Sequence, residues 1–214
     1  VPTVVVVDAL TISSHTVADT LVRPYCAGSF ISAVKLVLKS TMTTLLVFLS
    51  FEVLWHHPVG VSEVHLILGS TLFLLFGLAP TAIGLSLGLL IQGVFFAPTD
   101  LPQLGMNVTT LLIPLFALAA LAPHIVKPST AYVDLSYRQT LKLSLIFQGG
   151  VVAWVAFWTL YGQGVNATTL SGLATFATAY SVVILFEPLL DLGILAAVKG
   201  SRLQGALALE RNAT

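Results

Sequence analysis

Charge is what this 214-residue chain lacks. Asp, Glu, Lys and Arg together make up 8% of it, against 57% hydrophobic residues. A soluble domain carries about 25% charged residues. So few charges cannot cover a water-exposed surface. With a mean hydropathy of +0.98, the chain reads as an all-α polytopic membrane protein forming one integral membrane domain over 1–214. Its net charge is zero, which removes bulk attraction to nucleic acid. The single cysteine, Cys26, excludes an internal disulfide, a CxxC redox motif and a thiolate metal cluster. No GxxxxGKS or GxxxxGKT stretch occurs, so the chain does not hydrolyse ATP through a P-loop and reads as a non-catalytic subunit. No basic region precedes the opening valines and Asp8 follows them, so no signal peptide is read there. The first residue is Val1 rather than Met, so processing or an upstream start is expected.

Long apolar runs are what the chain has instead. A spanning helix needs ~20 mostly apolar residues. Residues 64–99 contain no Asp, Glu, Lys or Arg, which is too long for one helix. Ala79-Pro80 is expected to divide them, since proline breaks a helix interior and restrains the residue before it. The spans read as 40–55, 64–78, 80–97, 107–125 (ending at Pro123 and His124), 143–162 and 170–198. Tyr161-Gly162-Gln163-Gly164 and Asn166 separate the last two, and the final helix continues through Pro188. A weaker candidate is 4–22, where Asp8, His15 and Asp19 make burial in lipid costly. The count is seven spans with it and six without it.

Orientation follows from Lys and Arg. With seven spans, all nine fall on one side: Arg23, Lys35 and Lys39, then Lys127, Arg138 and Lys142, then Lys199, Arg202 and Arg211. That side is expected to be cytoplasmic, with the N-terminus outside and the C-terminus inside. Six spans would move the N-terminus inside but leave the loop around His57 outside.

Three of the five histidines fall in Trp55-His-His-Pro-Val-Gly-Val-Ser-Glu-Val-His65, beside Glu52 and Glu63. Ser62 suits an N-cap and Glu63 a first helical turn, which would put His65 at the third position of a helix entering the membrane. Imidazole is the commonest metal ligand and suits nickel, cobalt, copper and zinc. Glu52 and His56, four apart, would share a helix face, where the carboxylate holds one ring nitrogen. His57 reads as an interfacial residue beside Trp55. His65 is the candidate ligand, since an ionisable group in a span needs a partner or a job. His56 is the weaker candidate.

Gly84, Gly88 and Gln92 repeat every four residues. A GxxxG face lets helix backbones approach, and glutamine bonds across such contacts, so helix packing is expected. Glu187 and Asp191 place two carboxylates one turn apart in the cytoplasmic half of the last helix. They read as a proton relay, a contact for a partner subunit, or partners of Lys199 and Arg202. Asn107-Val108-Thr109 and Asn166-Ala167-Thr168 fit the glycosylation pattern on the outside.

Taken in order, several motifs resemble the CbiM/NikM type of membrane component from cobalt/nickel energy-coupling-factor transporters. They are His56-His57-Pro58-Val59-Gly60, Ser62-Glu63-Val64-His65, Leu90-Ile91-Gln92 and Leu104-Gly105-Met106-Asn107. The resemblance runs from about 50 to 198. It implies a plasma (inner) membrane component that captures Co(II) or Ni(II) from outside as cargo, with no permanently bound cofactor. It would work with a transmembrane coupling subunit and cytoplasmic ATPase subunits, besides membrane lipid. The family holds its metal with a free N-terminal Met-His (amine, amide nitrogen and ring) and a histidine at the start of a later helix. Only that last ligand carries over, onto His65, with Glu52, Ser62, Glu63 and Asn107 expected around it. Here the chain reads Val1-Pro2-Thr3, and Pro2 has no N–H to lose. His15 is a poor substitute, about 16 Å down a helix from Val4 at ~1.5 Å per residue. Two other readings stay open: a non-transporting subunit of a larger membrane complex, and a proton-coupled secondary transporter using Glu187 and Asp191.

Overall fold

A bilayer offers backbone N–H and C=O groups no water, so apolar runs of spanning length fold as helices. The computed structural model describes residues 30–54, 56–126 and 135–200. The order is α1 (Phe30–Glu52), β1 (His56–Val59), β2 (Ser62–His65), α2 (Gly69–Phe76), α3 (Leu78–Phe95), a 3-10 helix (Pro98–Gln103), α4 (Leu104–Ile125), α5 (Tyr137–Gln163) and α6 (Ala167–Gly200). Among the described residues, five helices are long and apolar enough to cross a membrane. The candidate span 4–22 lies outside the described residues.

Segment 64–78 departs from the expected helix. It is the second strand of a hairpin, three residues without regular structure, and α2. The eight residues of α2 rise only about 12 Å at ~1.5 Å each, too little to span. The break after it comes at Gly77, with φ 87°, rather than at Ala79-Pro80. Pro80 sits in the first turn of α3, where a missing N–H costs no helical bond.

Other helices start earlier than their apolar cores. The Ser136 backbone N–H donates to Gln139 Oε1 at 3.0 Å, half of a capping box that starts α5 at Tyr137 rather than 143. The Thr169 N–H donates to Asn166 Oδ1 at 2.9 Å, and α6 starts at Ala167 rather than 170. Helix α4 runs through Pro123 and His124 to Ile125. Helix α1 begins at Phe30 and stops at Glu52, not 55.

Small residues set the closest helix contact. A methyl group at Gly84 would stand 2.5 Å from Thr43 Cβ and 2.8 Å from the Thr43 carbonyl carbon. At Gly88 it would stand 2.5 Å from Val47 Cγ1. The Thr43 hydroxyl donates to the Pro80 carbonyl at 2.7 Å. Residues 43 and 47 thus meet 84 and 88 in the same order, so α1 and α3 run parallel. The limb carrying the hairpin and α2 must descend between them.

Two further contacts orient the remaining helices. Trp154 Nε1–H donates to Thr109 Oγ1 at 3.3 Å, and Gln139 Nε2–H to the Ile125 carbonyl at 3.2 Å, so α4 and α5 are antiparallel. Gly164, Val165 and Asn166 join α5 to α6, which turns the chain back again. Among the described residues, Lys35, Lys39, Arg138, Lys142 and Lys199 therefore lie at one end of the bundle. Glu52, Glu63 and Asp100 lie at the other.

The α1–α3 contact makes a prediction. Gly84→Ala places a methyl against the Thr43 backbone and should cost about 1–3 kcal/mol, as overpacking does. Gly105→Ala, where nothing lies within 4 Å, should unfold as the unaltered protein does. Thermal unfolding in detergent micelles checks both.

Candidate functional site

The histidine stretch folds as a hairpin because its middle turns tightly. The strands pair antiparallel in the register Val59↔Ser62, Pro58↔Glu63, His57↔Val64 and His56↔His65. Gly60 and Val61 form the turn, and Gly60 has φ 64°, a conformation open mainly to glycine. In a two-residue hairpin the closing pair is hydrogen-bonded and alternate pairs are not. Pro58 falls in a pair that needs no N–H. So does His65, whose backbone faces away from β1, and there Tyr180 of α6 hydrogen-bonds it.

Three sequence expectations are corrected here. Ser62 is a strand residue, not an N-cap. Glu63 and His65 are on β2, not in a first helical turn. Glu52 ends α1 while His56 is in β1, so the two do not share a helix face. The pattern Ser-Glu-Val-His suits a helix start and a strand alike, and Gly60 decides for the strand.

The hairpin tip rests on α6. A methyl at Gly60 would stand 3.1 Å from the Gly172 carbonyl carbon and 3.2 Å from the Phe176 nitrogen. A methyl at Gly172 would stand 2.8 Å from Val61 Cγ1. Two glycines let the turn and the helix touch backbone to backbone.

Between the hairpin, α3, α4, α5 and α6 lies a cavity of about 260 Å³. It gathers Ser62, Glu63, His65 and Asn107 from the expected site. Gln92, read by spacing as part of the packing stripe, lines the cavity too. Phe51, Asp100, Gln103 and Tyr180 join it and were not singled out in the sequence. Asp100 shows in the sequence only as the charge that ends the run 64–99, and nothing local marks Tyr180. Glu52 and His57 are not among the lining residues, and His57 is exposed. His56 stands opposite His65 in the strand register.

The His65 side chain is 12% exposed. Its Nε2 lies 3.3 Å from Glu63 Oε2, and its ring packs 4.6 Å from that of Phe51. A neutral imidazole donating Nε2–H to the carboxylate has its lone pair on Nδ1. That arrangement orients a ring for metal ligation. Among the described residues, no group of three or more His, Cys, Asp and Glu side chains is placed to hold a metal ion.

Glu187 and Asp191 lie deeper, and both are fully buried. The Ser70 hydroxyl lies 2.9 Å from Asp191 Oδ2 and 3.3 Å from Glu187 Oε1. The Ser144 hydroxyl lies 2.5 Å from Glu187 Oε2. The polar groups that meet the pair are thus the hydroxyls of Ser70 on α2 and Ser144 on α5, with the Gln148 amide of α5.

Gly60→Ala tests how the hairpin is seated. The left-handed conformation alone costs a non-glycine residue about 1–2 kcal/mol, and the Gly172 contact adds to it. Amide hydrogen exchange over residues 62–67 should quicken by about an order of magnitude, with exchange in α4 unchanged.

Comparison with known families identifies one that matches most of the chain. The model of the CbiM family, described as the cobalt uptake substrate-specific transmembrane region, matches residues 10–204. No curated protein and no solved structure matches the chain. The match takes in the hairpin, the cavity and all five membrane-length helices, and the chain belongs to the CbiM family of multi-pass membrane proteins for cobalt uptake.

Proposed function

We propose that this cobalt-uptake component takes Co(II) or Ni(II) from the outer face into the cavity beside His65. The observation that carries the reading is His65 itself, an imidazole lining a cavity with its ring held by Glu63. Nitrogen donors suit both ions. Glu63 and Asp100 supply negative charge at the cavity. Among the described residues, no Lys or Arg lies at that end of the bundle, so the local field favours cations. The family resemblance assigns further ligands to a free amino terminus. The basic end faces the cytoplasm of the plasma (inner) membrane, by the positive-inside rule. The chain has no P-loop, so ATP hydrolysis belongs to cytoplasmic ATPase subunits acting through a transmembrane coupling subunit.

Titration calorimetry with Co(II) and Ni(II), on protein in lipid nanodiscs, tests the site. His65→Ala should abolish binding. Glu63→Gln should weaken it by about 10–100-fold, as loss of a ligand-orienting partner does. His57→Ala should bind as the unaltered protein does. Radioactive cobalt uptake in cells carrying the partner subunits should follow the same order. Full binding and uptake by His65→Ala would sink the proposal. A chain that binds neither ion would favour the non-transporting subunit. Uptake that survives loss of the ATPases but fails in Asp191→Asn would favour proton-coupled transport.

A further inference from the structure

The cavity leaves two ionisable side chains unused. Glu187 and Asp191, one turn apart on α6, expose none of their surface. The groups facing them are Ser70 from α2, Ser144 and Gln148 from α5, and Tyr180 on α6 itself. Arg138 and Lys142 of α5 are exposed. Among the described residues, no Lys, Arg or His forms an ion pair with either carboxyl.

Hydrogens are short in this cluster. Asp191 Oδ1 and Gln148 Oε1 are both buried without a hydrogen-bond partner. Gln148 is fully buried, and its amide nitrogen donates to the Ile67 carbonyl at 2.6 Å and to Glu187. A hydroxyl has one hydrogen, yet Ser70 Oγ lies within reach of both carboxyls. Ser144 Oγ likewise lies between Glu187 Oε2 and the Ile184 carbonyl. Acceptors outnumber hydrogens, and two buried carboxylates with no counter-ion among the described residues are strongly disfavoured as a doubly charged pair.

What is missing is positive charge carried by a hydrogen. A metal ion would also supply charge, but it needs volume. Neither carboxyl lines the cavity, and hydroxyls already occupy hydrogen-bonding positions against both. A proton needs no such room. We propose that Glu187 and Asp191 form an intramembrane proton-binding site, bridged by Ser70 and separate from the metal cavity. A carboxylate oxygen takes a proton from the aqueous phase and becomes an O–H donor, which supplies the hydrogen the cluster lacks. Metal capture at His65 does not depend on this assignment.

Infrared spectroscopy of the whole chain in nanodiscs at neutral pH tests it. The unaltered protein should show a protonated-carboxyl C=O band that shifts in D2O. Glu187→Gln and Asp191→Asn should each remove or shift that band. Ser70→Ala, which keeps both carboxyls, should shift its frequency. Absence of the band in the unaltered protein would overturn the proposal even if the variants fail to fold. So would a band indifferent to all three substitutions. Loss of the band on saturation with Mg(II) or Co(II) would assign the pair to a metal cation and overturn the proton.

Discussion

An unbonded amide or carbonyl inside a bilayer costs several kcal/mol, and residues 56–68 are where this protein answers that constraint. They enter the bundle without forming a helix. Such backbone is tolerated at membrane depth only when it is buried in protein or lines a cavity. Here the two strands bond each other, Tyr180 meets the outward-facing backbone of His65, and Gln148 meets the carbonyl of Ile67. The last two bonds come from helices that pack around the limb rather than from the limb itself. The non-helical entry exists because α5 and α6 are shaped to receive it.

That arrangement sorts the charges. Carboxylates at the hairpin end line or border an open cavity. The carboxyls further along α6 are sealed by Ser70 and Ser144. Gln148 touches both levels, bonding a backbone group two residues from His65 and a carboxyl of the sealed pair. One amide therefore joins the lower wall of the cavity to the acid cluster.

Much of this was legible in the sequence, for reasons tied to period and polarity. The charge-free run 64–99 marked membrane residence, and the four-residue spacing of Gly84 and Gly88 marked a close helix contact. His65 stood out because an ionisable group in greasy surroundings needs an explanation. Its local structure was not legible, because Ser62 and Glu63 serve a helix start as well as they serve a strand. Gly60 carried the deciding signal, but its landing place, Gly172, lies more than a hundred residues away. The clasp on the acid pair was hidden for the same reason, since Ser70 sits 117 positions from Glu187. No local pattern encodes a hydroxyl brought in from a distant helix. Pro80 misled by its strength as a breaker. Gly77, with its positive φ, made the break first and left the proline harmless in a first turn.

Helix α6 meets the entering limb at three heights: the tip through Gly172, the strand end through Tyr180, and α2 through Glu187 and Asp191. The uppermost contact sets the Gly60 backbone directly on the Gly172 backbone, with the Val61 side chain beside it. A shaft gripped at three points, one of them rigid, passes its motion on instead of absorbing it. Whatever tilt α6 takes in a bilayer of given thickness is thus inherited by the ring of His65. Lipid thickness becomes a variable of the site's geometry.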